Sequence, residues 1–187
     1  MTDDRWLDET QQLAWRALLV FVNRGLPQLE RTLKEHDLLV VHYSILVALS
    51  SAPGDTMRLA ELADAANLSQ SRLTHRLRTM IERGHVEIAA DPDDGRGKNA
   101  TLTTAGRELL ERVAPVHVGD VRSLVFDHLD DAETAALANA ISKFAHALLD
   151  IDSLAPQVPY ASRCVAPDPP QQAGTVVVAG LGRGRHR

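Results

Sequence analysis

The stretch Leu59 to Gly84, LAELADAANLSQSRLTHRLRTMIERG, gathers side chains suited to reading nucleic acid. Two helix-periodic segments are separated there by about three residues, with small Ala63 and Ala66 where the pair must approach closely, which is the grammar of a helix-turn-helix. Asn67 and Ser69 suit the turn and the start of the second helix, and Leu68 plugs the corner. On a wheel of about 100° per residue, Leu73, Leu77, Met80 and Ile81 share a core face, while Ser71, Arg72, His75, Arg78 and Thr79 point away. A polar, basic face of short side chains fits the major groove: arginine pairs with guanine, Gln70 with adenine, and hydroxyls with either base or phosphate. The candidate DNA-contacting set on this helix is Ser69, Gln70, Ser71, Arg72, Thr74, His75, Arg76 and Arg78. Residues 69–84 hold Arg72, Arg76, Arg78 and Arg83 against Glu82, a local charge of +3. The competing reading is an ordinary solvated helix face with an accidental excess of arginine.

The period then changes. His85 to Ala89 and Asn99 to Thr103 read as two short strands joined by the turn-forming DPDDGRG of Asp91 to Gly97. A small hairpin directly after a reading helix is a wing, whose tip can reach the neighbouring minor groove or backbone. Arg96 and Lys98 stand at or beside that tip, where arginine gains from the negative potential of a narrow groove and lysine neutralises a phosphate. Asp91, Asp93 and Asp94 would repel DNA if all faced it, so Asp94 is expected to turn back and support an arginine.

Other chemistries are poorly served. Ser, His and Asp occur, but not in a nucleophile elbow, a phosphate loop or a paired-carboxylate setting, so no enzyme is expected. Eight histidines invite a metal reading, yet there is no HExxH and one cysteine, Cys164; His117 and Asp120 are one helical turn apart, which permits ligation without indicating it. No metal or cofactor is expected. The GLGRG near the C-terminus lacks dinucleotide-loop spacing and a following helix. Trp15 and Arg16, with His42 and Tyr43, are candidates to line an effector pocket, since aromatic walls and a cation suit an organic anion; the plainer reading makes Trp15 and Tyr43 core or dimer contacts.

The elements that must position these groups are mostly helical. Residues 8–24 carry a stripe of Leu13, Ala17, Val20, Phe21 and Arg24, after which Gly25 and Pro27 kink or break the helix before Leu29 and Leu33 resume it. Further helices are predicted at about 41–51, closed by Pro53 and Gly54, at 59–66, and at 70–83, ended by Gly84. Thr103 or Thr104 caps a helix that Pro115 bends and that runs to about Leu129. Asp130 and Glu133 open the last helix as a capping box, with Leu137, Ile141, Phe144 and Leu148 as its stripe. The fold class is mainly α with a small β-wing: a winged helix-turn-helix plus a helical dimerisation region.

Composition agrees with one body and an appendage. The 187 residues carry a net charge of -5 and 44% apolar residues, enough for a core. Residues 155–187 hold five of the nine prolines and Arg163, Arg183, Arg185 and Arg187 against Asp168, a net +3; residues 1–154 therefore carry -8. The tail is expected to be disordered and basic. A single cysteine removes the disulfide-stapled class, and the acidic start MTDDRWLDET and the absence of an apolar run near 18 residues give no signal peptide or membrane span. A cytoplasmic protein is expected.

The segment Leu59 to Gly106 resembles the winged helix-turn-helix of MarR-type transcriptional regulators. Within DDGRGKNATLTTAG, Asp94, Arg96, Leu102, Thr103 and Gly106 match the family's D-x-R and L-T-x-x-G pattern, and the order of elements extends the similarity over about residues 5–152. The resemblance implies a homodimer in which the first helix and the last two (about 5–35 and 107–152) interlock, so that two DNA-binding parts (about 40–106) meet a pseudo-palindromic operator. It also implies that a small molecule, often an aromatic or phenolic anion, binds between dimer and reader regions. Gly25 to Pro27 departs from the family's first helix, and Cys164, in the tail, is not placed for thiol sensing. The expected activity is that of a DNA-binding repressor released by a small-molecule effector, without membrane association. The alternative is a winged helix that contacts protein and has no specific DNA.

Overall fold

The computed structural model describes residues 6–91 and 97–149. Asp94 and Arg96, Cys164 and the segment 155–187 lie outside the described residues.

The first helix, α1 (Glu9–Val20), starts at a reciprocal cap: Asp8 Oδ1 accepts from the Gln11 N–H at 2.8 Å, and Gln11 Oε1 accepts from the Asp8 N–H at 3.1 Å. The predicted kink or break at Gly25 and Pro27 is not a break but a widened turn. A π-helical turn (Phe21–Gly25) carries the helix without interruption into α2 (Leu26–Glu35), with the Leu26 N–H reaching back to the Phe21 carbonyl. Pro27 has no N–H to give and its ring would crowd a tight preceding turn, so one widened turn absorbs both defects. Gly25 is required there, because a Cβ would stand 2.8 Å from the Phe21 ring.

The compact part begins at α3 (Val40–Ser51), which buries Tyr43, Ile45, Leu46 and Leu49 and so forms the centre of the core. After Pro53 and Gly54, whose φ of +63° turns the chain, comes a strand missed in the sequence, β1 (Thr56–Arg58). Helices α4 (Leu59–Ala65) and α5 (Gln70–Glu82) follow, then β2 (Val86–Ala90) and β3 (Lys98–Leu102). The strands form an antiparallel sheet in the order β1-β3-β2, with Thr56 opposite Thr101 and Val86 opposite Leu102. Each wing strand sits one residue from its predicted place, which keeps the pairing of Val86 with Leu102 on the buried side.

The last two helices are α6 (Thr104–Leu124), through Pro115, and α7 (Asp131–Leu149). The former stops five residues short of the predicted Leu129, because the chain tightens into a 3-10 turn at Phe126–His128. Asp130 and Glu133 cap each other as expected, at 2.8 and 2.9 Å. The core joins α3, α4, α5, the sheet and the first half of α6, with Leu33 and Leu38 closing it from the side of α2. Each fully buried leucine there contributes about 2 kcal/mol relative to exposure.

Candidate nucleic-acid interface

The reading helix is held at both ends. At its start Ser69 adopts extended backbone and its Oγ accepts from the Arg72 N–H at 3.4 Å, while Asn67, at φ +53°, makes the turn from α4 and the Leu68 N–H reaches the Ala63 carbonyl at 2.8 Å. At its end Gly84 takes φ +73° and the His85 N–H returns to the Met80 carbonyl, a left-handed helix stop. Leu73, Leu77 and Met80 anchor it in the core. Ile81, expected beside them, is instead 41% exposed.

Gln70, Ser71, Arg72, Thr74, His75 and Arg78 are exposed, so the outward face is polar, basic and open. Three hydroxyls of the predicted set are already engaged: Ser69 in the cap, Ser71, whose Oγ lies 3.2 Å from that of Ser69, and Thr74, whose Oγ1 donates to the Gln70 carbonyl at 2.9 Å. Arg76 is half-buried, on the flank toward α3. Lys98 is exposed at the first position of β3, one strand length from the sheet's anchored end.

The wing is fastened to the reading helix by the residues of the L-T-x-x-G pattern. Leu102 is buried; Thr103 Oγ1 donates to the Gly84 carbonyl at 2.6 Å and accepts from the Gly106 N–H at 3.0 Å. Gly106 lets α6 pass so close to the end of α5 that a Cβ would lie 2.1 Å from the His85 carbonyl oxygen. The base of the wing has a second fastening that sequence reading missed. Asp91, considered above as a charge that would oppose DNA, is 6% exposed and pairs with Arg58 Nε of β1 at 2.7 Å, while its N–H donates to the Gly97 carbonyl at 3.0 Å. An acidic residue just before a predicted turn, with an arginine on an unrecognised strand, offered no sequence spacing to find this pair.

The four candidate effector residues are not assembled in one protomer. Tyr43 belongs to the core and packs against His117 at a tilt of 54°, ring centroids 4.4 Å apart, which agrees with its plainer reading. Trp15 and Arg16 lie exposed on α1, which buries no residue. His42 alone of the four lines a cavity of about 310 Å³, which opens between the α2–α3 connection and the flank of α5. Its ring is buried, and burial followed by the charges of Arg76, Arg83 and His85 holds its pKa below the usual histidine value. Burial lowers His117 too, against the opposing pull of Asp120. Among the described residues no group of three or more His, Cys, Asp or Glu could hold a metal ion.

Comparison with known proteins bears on what this geometry is for. A model of the MarR family matches residues 36–97, from the end of α2 to the wing. AbsC of Streptomyces coelicolor, a MarR family transcriptional regulator, is similar in sequence and structure: 40% identity, TM-score 0.74, covering 79% of this chain and 99% of AbsC. This chain belongs to the MarR family. A second member from Streptomyces coelicolor, Sco3205, solved in complex with DNA, is 34% identical with TM-score 0.74, over 79% of this chain and 93% of that one. An uncharacterised HTH-type transcriptional regulator of Bacillus cereus is 24% identical over 131 residues, 70% of this chain and 86% of that protein. The protein is thus a MarR-type winged helix-turn-helix transcriptional regulator, and the family model spans the reading helix. Family membership also explains the L-T-x-x-G pattern in this chain, because each of its residues closes a contact between α5, β3 and α6. No helix among the described residues is long and apolar enough to cross a membrane.

Proposed function

We propose that this MarR-family protein binds double-stranded operator DNA in the cytoplasm as a homodimer, laying α5 of each protomer in the major groove, and represses transcription until a small molecule releases it. The observation that carries this reading is the outward face of α5: Ser71, Arg72, His75 and Arg78 are exposed together on a helix whose other side is locked in the core. Side chains on a rigid element reach base edges with little ordering cost, and the wing, tied to the same helix, brings Lys98 toward the flanking backbone. Support for the dimer comes from the terminal helices. Leu13 and Trp15 of α1, and Ile141, Phe144 and Leu148 of α7, are large apolar residues left in water on helices that expose them together at helical spacing. Two-fold symmetry would then place half-sites about one helical turn apart.

The test is fluorescence anisotropy of a labelled duplex from the DNA upstream of the gene, at two salt concentrations and with scrambled competitor. Competitor-resistant binding that Arg72→Ala with Arg78→Ala weakens by about a hundredfold, and whose salt slope that variant flattens, supports the reading. Equal affinity for every duplex, unchanged by the variant, sinks it in favour of a module that contacts protein alone.

A further inference from the structure

The wing extends beyond the sheet it grows from. Strand β1 stops at Arg58, opposite Asn99, while β2 and β3 continue as two strands through the pair of Ala90 with Lys98. A two-stranded ribbon twists more than a wider sheet and is marginally stable alone, so its direction has to be set where the third strand ends. Arg58 stands at that point. Strands β1 and β2 each pair with β3 and not with one another, which puts them about 9–10 Å apart, beyond the reach of any backbone hydrogen bond. The Arg58 side chain spans that gap across β3 and meets the Asp91 carboxylate, just past the end of β2, at 2.7 Å.

Both ends of this tie are anchored. Asp91 also closes the loop it opens, since its N–H donates to the Gly97 carbonyl at 3.0 Å. At the other end of β1, Asp55 Oδ1 accepts from Arg107 Nη2 of α6, and Thr56 Oγ1 meets Thr101 Oγ1 of β3 at 2.9 Å. A line of polar contacts therefore runs from α6 through β1 to the root of the wing. Stability alone does not call for charge here. The Asp91 side chain is buried, and taking a carboxylate out of water offsets much of what its pairing returns, whereas two apolar side chains would cover the same strand. What the ion pair adds is a fixed distance and direction.

We propose that Arg58, acting through Asp91, is a positioning residue for DNA binding: it fixes the direction in which the wing leaves the sheet and so sets where Lys98 meets the DNA backbone. This deepens the DNA-binding reading above and rests on it. Lys98 lies one residue beyond the rung of Arg58, Asn99 and Ala89, on the two-stranded part of the wing. A swing of the hairpin at that rung moves the exposed amine relative to a reading helix that is fixed in the core. A phosphate contact of this kind contributes affinity without reading sequence.

The decisive variant is Asp91→Asn in the full chain, measured by fluorescence anisotropy against the upstream duplex and a scrambled one over a range of salt. By charge alone, removing an acid close to DNA tightens binding and releases Arg58 toward a phosphate. The positioning role gives the opposite sign. Both duplexes bind about fivefold or more weaker, their affinity ratio stays that of the parent, and the salt slope falls by about two, one phosphate for each wing of the dimer. In a Lys98→Gln background, Asp91→Asn weakens binding by less than about twofold, because the contact it misplaces is already gone. Should Asp91→Asn lose the amide spectrum of the parent, Arg58→Met/Asp91→Leu takes its place with the same weakening expected, since an apolar pair keeps the strand covered. Unchanged or tighter binding by Asp91→Asn, a collapse of the affinity ratio, a full loss that persists beside Lys98→Gln, or parental affinity in the apolar pair overturns the proposal and leaves the DNA reading standing. A parent chain that binds no duplex, or every duplex equally, overturns both together.

Discussion

Leu46, Leu49, Leu62, Leu73 and Leu77, all within the reading unit, are at most 1% exposed, whereas α1 buries nothing and Leu148 near the end of α7 is 81% exposed. The two regions use similar aliphatic stripes to opposite ends. In the reading unit the stripes of α3, α4 and α5 converge on one another and on the sheet, so burial is complete within one chain. The stripes of α1 and α7 meet no such partner in the protomer. The contrast teaches that the part which reads DNA is self-sufficient, while the terminal helices derive their stability from whatever covers them. On the proposed reading that face is completed by a second copy, as a symmetric operator requires.

The sharpest way to break the self-sufficient side is at its tightest contact. Gly106→Ala puts a methyl group 2.1 Å from the His85 carbonyl and 2.8 Å from Leu102 Cδ1, and is expected to cost about 3 kcal/mol by urea denaturation, because backbone must move. An unchanged midpoint would show that α6 and the end of α5 are loosely joined. On the other side of the comparison, Leu13→Ser with Phe144→Ser should leave the far-ultraviolet spectrum of the reading unit intact but shift the mass by light scattering from dimer toward monomer. Loss of all structure would instead mean that the two regions fold as one. Ser69→Ala removes the cap of α5 and is expected to cost about 1 kcal/mol, with a matching loss in duplex affinity only if the cap also positions Ser71, whose Oγ lies 3.2 Å away.

The smallest effect concerns pH and separates the regions by their histidines. His42, His85 and His117 all have folded-state pKa values below the ordinary 6.5, in each case chiefly through burial. Arg76, Arg83 and His85 add to the lowering at His42, and Arg83 and Arg112 at His85, while Asp120 opposes it at His117. On acidification the unfolded chain takes up these protons first, so stability is complete above about pH 6.5 and is lost as pH falls through the depressed folded values. Denaturation midpoints measured from pH 7.5 to 5.5 should fall, and fall less in His42→Gln; a flat profile would show the rings to be solvated.

Much of the reader was legible because its signals are local. A capped, amphipathic helix ended by glycine needs only residues within a turn or two of each other, and the bounds of α4 and α5 fell within one residue of those predicted. The wing strands were displaced by one residue each, since turn chemistry marks a hairpin more firmly than its register. The strand β1 was illegible: three residues carry no period, and it exists only because β3 offers it an edge. The π-turn was half legible, as Gly25 and Pro27 announce a defect but not which repair the chain adopts.

The amino-acid sequence by itself determined the helix-turn-helix, its basic outward face and the wing behind it, because periodicity, caps and charge act over a few residues. Only the tertiary structure decided the pairing of Arg58 with Asp91, the removal of Trp15 and Arg16 from any pocket within the protomer, and the gathering of Lys34, His42, Arg76 and Arg83 around one cavity. Those contacts join residues from separate elements, and such distances are set by how whole helices pack, which no local pattern encodes.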